Sequence, residues 1–305
     1  MLTRFLPVLL LAKVVLTGGQ IVSVTGALKP TLVSTASVQC SGTLAFDGIR
    51  FINTGNLTTA ASATLILQDG AKIVNRATAF LGAASIIKDT GWASTNQLSQ
   101  LINDYGGSLK LKDSTTIRIS VAFNNSGTVS VPVSTNLLLT AGSTSPGTTM
   151  NINGTLTLQG GSRGAFIVQS GARFALAGNL TLQNSTLYLP VRLGVNSIPG
   201  LVTMKKNATL VWGEGESSSA SATPFLSLWL QDGATFKPAT STARIAALRM
   251  ETGSVVDVDG GRVSVEKTLI WNGGTFTGQG SVQLNKNSTL STTGTKYLSV
   301  SPFNH

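Results

Sequence analysis

The 305-residue chain carries 22 basic and 12 acidic residues, a net charge of +10, with one cysteine and one histidine. A single cysteine excludes an intramolecular disulfide. Because the histidine is the last residue, His305, a Ser/His/Asp triad within the domain is also excluded. We expect no metal and no cofactor. Charged residues are only 11% of the chain, which is few for the solvent faces of helices, so short strands joined by turns are favoured.

The N-terminus resembles a secretory signal. Arg4 gives a basic start and residues 5–12 form an apolar run, interrupted afterwards by Lys13. We predict a signal peptide over residues 1–26, a β-helix domain over residues 27–305, and a secreted, extracellular protein. A capping strand of the domain itself is the alternative for this segment. No apolar run approaches the roughly 20 residues of a membrane-spanning helix, so no membrane span is expected.

Cys40 is predicted to be a small buried residue, and an intermolecular disulfide through it is left as an alternative.

Seven sequons for N-glycosylation also agree with the predicted export. Three of them coincide with a turn position at which Asn tolerates left-handed geometry, namely Asn184, Asn207 and Asn287. The seven sequon asparagines are Asn56, Asn124, Asn153, Asn179, Asn184, Asn207 and Asn287.

A short repeat returns along the chain: Gly or Asn, then Ala or Ser, then any residue, then an apolar residue. A tight turn followed by a strand is typical of solenoids. We therefore predict that each copy marks a corner at which the chain re-enters an apolar core. The copies begin at Gly70, Gly171, Asn184, Asn207, Gly233, Gly253 and Asn287.

One stretch departs from the strand pattern. Ser94 or Thr95 is a candidate cap for a helix with an apolar face that includes Leu101 and Tyr105 and that closes at Gly106. We predict one short helix near residues 95–105. Residues 190–200 and 213–223 also depart from the repeating strand pattern and are predicted to form loops.

Apolar strand centres in the C-terminal third, from Leu248 to Leu298, recur at intervals shorter than those usual in an antiparallel sandwich. Within strands the side chains alternate, as in Thr155-Leu156-Thr157. Three such steps make a coil of roughly 20–24 residues. The predicted fold is all-β: a single-stranded parallel β-helix, or β-solenoid.

Residues 269–282, LIWNGGTFTGQGSV, resemble a coil of right-handed parallel β-helix proteins of the pectin-lyase-like superfold. They are also similar to the Gly/Asn/Thr-rich repeats of secreted and cell-surface proteins, and residues 121–189 and 225–298 share the pattern. The resemblance implies a right-handed coil. The superfold includes polysaccharide lyases, glycoside hydrolases, adhesins and structural proteins, so fold alone does not choose the function.

Aromatic side chains suggest glycan binding. In residues 225–230 the leucines share one face, and if they point inward, Phe225 and Trp229 point outward at a spacing suited to stacking sugar rings. The alternative is that both faces of this strand are buried. Trp212 and Trp271 share the parity of apolar neighbours and are predicted to lie in the core.

Asp257, Asp259 and Arg262 are the catalytic candidates. The two carboxylates flank an inward Val258 and so point outward, where they would suit acid/base work on a sugar with Arg262 binding an acidic group. The alternative is a solvated turn. Unlike hydrolases of the resembled superfold, the chain offers no evident further acidic residues on neighbouring coils.

The positive charge is spread at one or two residues per coil, which suits weak binding of acidic polysaccharide and not sequence-specific binding of nucleic acid. We predict a secreted or cell-surface structural or adhesive β-solenoid that binds acidic polysaccharide or cell-surface glycans. A polysaccharide lyase or glycoside hydrolase is the alternative. The oligomeric state is left open.

Overall fold

The computed structural model describes the backbone of residues 8–11, 14–16, 20–23, 31–61, 63–82, 86–89, 99–160, 165–169, 171–189, 200–213, 226–238, 242–284, 289–292, 297–299 and 303–304. The chain divides into two compact units, Met1–Gly142 and Ser143–His305. Each is a parallel β-solenoid, and the coils number about ten in all. The predicted all-β parallel solenoid is therefore confirmed. The handedness and the boundary at residue 26 stay predictions.

The first unit contains short strands. They are β1 (Val8–Leu11), β2 (Val14–Leu16), β3 (Gln20–Ser23), β4 (Thr31–Ser34), β5 (Val38–Cys40), β6 (Thr43–Asp47), β7 (Arg50–Asn53), β8 (Asn56–Thr59), β9 (Thr64–Gln68), β10 (Lys72–Asn75), β11 (Thr78–Leu81), β12 (Ile86–Asp89), β13 (Gln100–Asn103), β14 (Ser108–Leu111), β15 (Thr116–Asn125) and β16 (Thr128–Val131). The next strand, β17 (Asn136–Thr144), includes the residue at which the division falls.

The second unit continues in the same manner. Its strands are β18 (Thr149–Ile152), β19 (Thr155–Gln159), β20 (Ala165–Val168), β21 (Arg173–Leu176), β22 (Asn179–Gln183), β23 (Thr186–Leu189), β24 (Leu201–Lys205), β25 (Thr209–Trp212), β26 (Leu226–Leu230), β27 (Thr235–Pro238), β28 (Thr242–Met250), β29 (Val255–Asp257), β30 (Arg262–Trp271), β31 (Thr275–Thr277), β32 (Ser281–Leu284), β33 (Thr289–Thr292), β34 (Tyr297–Ser299) and β35 (Phe303–Asn304).

Strands stack in parallel from coil to coil. In the first unit, β1, β4, β7, β10 and β13 form one stack, β3, β6, β9 and β12 a second, and β2, β5, β8, β11, β14 and β16 a third. The segment predicted as a signal peptide contributes β1, β2 and β3 to these stacks, and its cleavage stays a prediction. In the second unit, β22, β24, β26 and β28 form one stack and β23, β25, β27, β29 and β31 another.

The coil length is less regular than predicted. The step from Thr31 to its partner Arg50 is slightly shorter than the predicted coil, whereas the step from Thr78 to its partner Ser108 is clearly longer. Steps in the second unit fall within or close to the predicted range, such as Thr235 with Val255 and Thr155 with Asn179. The paired strands stay in register despite the extra length.

Inward side chains form apolar ladders along the stacks. Strand alternation puts every second residue inside. In the first unit Phe51, Ile73, Leu101 and Phe123 lie in one ladder and are all buried. Trp212 and Trp271 are buried in the second unit, as predicted. Cys40 is also buried, as predicted, and burial raises the pKa of its thiol to about 12.

The repeat marks turns, as predicted. In Gln68-Asp69-Gly70-Ala71, both central residues have positive φ, and the Ala71 N–H donates to the Gln68 carbonyl at 2.9 Å. Residues 231–234 repeat this geometry. Positive φ at both central positions is the type I′ turn, which favours Asp, Asn and Gly. The small residue after each described copy is buried, so the corner fits tightly against the core.

The predicted helix near 95–105 is wrong where the structure describes it. Residues 100–103 form β13, and Tyr105 is 89% exposed in the following turn. Residues 94–98 lie outside the described part of the chain. The apolar spacing fits a helical period, but Leu101 pairs with Ile73 and Phe123 on adjacent coils. Tertiary pairing therefore overrides the local helical pattern.

A buried ladder of asparagines runs through the first unit. The Nδ2 of Asn53 donates to Oδ1 of Asn75 at 2.8 Å, Asn75 donates to Asn103 at 2.8 Å, and Asn103 donates to Asn125 at 2.7 Å. Each asparagine closes a strand and also donates to backbone carbonyls near its corner. The ladder thus binds four coils through polar groups inside the core.

The ladder ends at Asn53, because the preceding coil has Ser34 at the same position. Ser34 pairs with Asn53 in the same stack, but its hydroxyl donates to the Ala36 carbonyl instead. The buried Oδ1 of Asn53 consequently has no hydrogen-bond partner in the described structure. A buried acceptor without a partner is a site of lost stability.

Asn103→Ala should destabilise the first unit. It removes two side-chain links and leaves polar atoms of Asn75 and Asn125 without their partners in the core. An unsatisfied buried group costs about 1–3 kcal/mol, so we expect the free energy of unfolding in urea to fall by about 2 kcal/mol. The matched control is Asn56→Ala, an exposed asparagine of the same unit, expected within about 0.5 kcal/mol of the wild type. Equal losses in the two variants would contradict the role of the ladder.

Ser34→Asn should stabilise the protein. The new amide would continue the column and donate to the unpartnered Oδ1 of Asn53, as each asparagine does to the next. We expect a gain of about 1 kcal/mol in the free energy of unfolding. Ser34→Ala, which cannot donate, is the control. If Ser34→Asn were no more stable than Ser34→Ala, the Asn53 acceptor would not be the weak point.

Candidate functional site

An outward column in the second unit unites hydroxyl, aromatic and cationic side chains. Thr157, Thr181, Thr203, Trp229 and Arg249 are paired in sequence on five successive coils. We call these residues the Trp229 column. Adjacent parallel strands are about 4.8 Å apart, so the column presents one side chain at each such step.

Strand alternation fixes the direction of the column. The residues on either side of Trp229, Leu228 and Leu230, are buried in the apolar ladders, and Trp229 itself is half-buried. The outward position predicted for Trp229 is therefore observed. Its predicted partner Phe225 lies outside the described residues.

Trp229 is the centre of a polar cluster. The guanidinium carbon of Arg249 lies 4.5 Å from the centroid of the Trp229 ring. The Arg249 Nε donates to Glu251 Oε1 at 2.6 Å. Asn272, one coil further on, donates through Nδ2 to both Glu251 oxygens at 3.3 and 3.1 Å. The cluster therefore holds the Arg249 guanidinium in a defined orientation over the ring.

The carboxylate of this cluster is stabilised in its charged form. Burial of Glu251 acts to raise its pKa, but hydrogen bonds from Asn272 and Arg249 and the charge of Arg249 outweigh it, so the pKa lies below its usual value. The Trp229 indole N–H makes no hydrogen bond of good geometry, although its proximity to Glu251 adds a small part of the lowering of that pKa. Glu251 therefore fixes Arg249 through an ionised contact over the ordinary pH range.

The arrangement suits the binding of a carbohydrate. Sugar rings present apolar C–H faces, which stack on aromatic rings, and hydroxyl groups, which hydrogen-bond to planar polar side chains. Gln183 and Lys205 lie paired beside the column and extend the polar wall. One face of Trp229 is covered by Arg249, so a sugar ring would use the uncovered part of the indole together with the exposed guanidinium.

Two of the three catalytic candidates, Asp257 and Arg262, contact side chains on neighbouring coils. Asp257 forms an ion pair with Lys237 on the preceding coil at 3.0 Å. Arg262 donates to Gln283 on the following coil. Asp259 lies exposed in the turn between them, and Val258 is buried, as predicted. The structure thus places Asp257 and Asp259 outward but engages Asp257 and Arg262 with neighbours on different coils.

Metal-binding clusters are absent from the part of the chain that the structure describes: no three of its His, Cys, Asp and Glu side chains lie together.

Asp47 and Asp69 in the first unit form a carboxyl pair. Burial, a hydrogen bond that protonated Asp47 donates to Asp69, and the charge of Asp69 raise the pKa of Asp47. The described residues also contain no helix long and apolar enough to cross a membrane.

Most of the sequon asparagines are accessible. Asn56, Asn153, Asn179, Asn184 and Asn207 are exposed and Asn124 is half-buried. Asn287 lies outside the described residues. Asn184 and Asn207 have the positive φ expected of a turn position. Occupancy by a glycan stays a prediction.

Sequence reasoning missed two sets of residues. The Asn ladder has a sequence signal, since three short strands end in Asn after apolar residues, in RFIN, KIVN and QLIN. The partners of Trp229 carry no such signal. Arg249, Glu251 and Asn272 come together because of coil register, and the coils vary in length along the chain.

The chain matches no protein-family model, no curated protein and no solved structure.

Proposed function

We propose that this protein is a secreted or cell-surface β-solenoid with a structural or adhesive role, and that it binds acidic glycans on its outward columns. The observation that supports the proposal is the Trp229 column. In it, three threonine hydroxyls on successive coils are followed by the Trp229 ring and then by the Arg249 guanidinium, which Glu251 holds in place. The net charge of +10 favours an anionic partner over a neutral one. The resemblance of residues 269–282 to pectin-lyase-like coils supports placing the chain with that superfold.

The alternative of a polysaccharide lyase or glycoside hydrolase has weaker support. A glycosidase needs two carboxyl groups that face one bond. Lys237 neutralises Asp257, and the candidate groups engage different coils. Binding is therefore the function that this surface serves best.

Trp229→Ala should weaken glycan binding. Aromatic stacking is worth about 0.5–1.5 kcal/mol, so we expect the Kd for polygalacturonate, which carries a carboxylate on every sugar, to rise about threefold to tenfold. The measurement is isothermal titration calorimetry on the full chain at low ionic strength. Ile167→Ala removes another outward, 45% exposed apolar side chain of the same unit and is the control.

Several results of that experiment would count against the proposal. Wild-type protein that binds neither polygalacturonate nor a sulfated polysaccharide would overturn acidic-glycan binding. Equal weakening by Trp229→Ala and Ile167→Ala would remove the Trp229 column from the site. New reducing or unsaturated ends in the polymer after incubation would instead support the enzyme alternative.

Export and glycosylation are tested on the natural protein. We expect its mass spectrum to show an N-terminus near residue 27 and glycan mass on peptides that contain Asn153 or Asn179, both exposed sequons. Deglycosylated protein is the control for the peptide masses. An intact N-terminus with unmodified sequons would contradict secretion.

A further inference from the structure

A second outward column, in the first unit, combines an aromatic ring with a cation that has no acidic partner among the described residues. Gln39, Thr58, Phe80, Lys110 and Ser130 are paired in sequence on five successive coils. We call these residues the Phe80 column. The Phe80 ring is 43% exposed, and the Lys110 Nζ lies 5.5 Å from its centroid.

The charge of this column differs from that of the Trp229 column. Arg249 is held by the Glu251 carboxylate, whereas Lys110 makes no ion pair within the described part of the chain. The five strands that form the face (Val38–Cys40, Asn56–Thr59, Thr78–Leu81, Ser108–Leu111 and Thr128–Val131) contain no Asp or Glu. No acidic side chain on these five strands therefore offsets the charge of Lys110.

The neighbours of the pair are small and polar. Thr58 precedes Phe80 and Ser130 follows Lys110 in the column. A parallel column of outward residues, from Asn56 through Thr78 and Ser108 to Thr128, lies two positions earlier on the same strands. The paired residues around the ring thus carry small hydroxyl and amide side chains, and none of these described neighbours is bulky.

We propose that the Phe80 column is a subsite for an acidic sugar, with Phe80 stacking on the apolar face of the sugar ring and Lys110 binding its carboxylate or sulfate. This inference rests on the proposed glycan binding and adds a location and a ligand class to it. The ring and the ammonium lie on adjacent coils, with 5.5 Å between the Lys110 Nζ and the ring centroid, so an anionic substituent of a sugar stacked on Phe80 lies within reach of Lys110. The hydroxyl-bearing side chains at Thr58 and Ser130 lie where the neighbouring sugars of the polymer would continue.

The experiment compares Lys110→Gln with Lys72→Gln. Both variants remove one positive charge from the same unit, but Lys72 lies in β10, on a different strand stack. A diffuse field predicts equal effects on the Kd for polygalacturonate, whereas a local subsite predicts that Lys110→Gln alone raises it, by about threefold to fivefold. Lys110→Arg should restore binding, and added salt should weaken the wild type toward the Lys110→Gln value.

Phe80→Ala tests the aromatic half of the subsite. We expect about a threefold to tenfold rise in the Kd for polygalacturonate. Combined with Lys110→Gln, its effect should be less than additive, because both side chains contact the same sugar. Far-UV circular dichroism checks the fold of each variant, and both residues are exposed.

The outcomes separate this inference from the proposed function. Wild-type binding with equal losses in Lys110→Gln and Lys72→Gln would overturn the subsite and leave acidic-glycan binding intact. An equal loss of affinity for neutral dextran in Lys110→Gln would overturn the acidic ligand class. Absence of wild-type binding to any acidic polymer would remove both.

Discussion

Parallel hydrogen bonding between coils governs the arrangement of the strands in both units. Each strand donates to and accepts from the same stack on the preceding and following coils, so that pairing fixes the register residue by residue. Because strand side chains alternate, register also decides which residues enter the core and which face outward. The apolar ladders, the asparagine ladder and both outward columns are consequences of this one geometric rule.

Because of the same pairing, each coil adds one outward side chain to every column along a stack. A side chain contributes to a column only through its place in its own strand, so residues far apart in sequence become neighbours at one strand spacing. Trp229 and Arg249 are separated by a whole coil of chain and are in direct contact in the fold. Phe80 and Lys110 are separated by an even longer coil and meet in the same manner. In a solenoid of this kind a binding surface is built from several coils and lies on no single motif.

A structural feature can be predicted from the sequence when the residues that determine it are close together in the chain. The corners at Gly70 and Gly233 are local, because left-handed geometry and a following small residue can be read from four consecutive positions. The strand over residues 100–103 is not local: Leu101 and Ile102 suit a helix equally well, and only pairing with neighbouring coils selects the strand. The partners of Trp229 could not be predicted either, because the number of residues per coil changes along the chain.

The asparagine ladder has a consequence for how the chain finds its correct alignment. Apolar ladders tolerate exchange, because one leucine packs almost as well as another against the next coil. The side-chain bonds of the ladder form only when each asparagine lies at the same position as the asparagine on the next coil. If the strand that ends at Asn75 slipped by one residue, the guanidinium of Arg76 would enter the core in its place, unpaired and at a cost of several kcal/mol. The ladder therefore selects the correct stacking of coils, and it discriminates against misaligned forms of the solenoid more strongly than it stabilises the correct one.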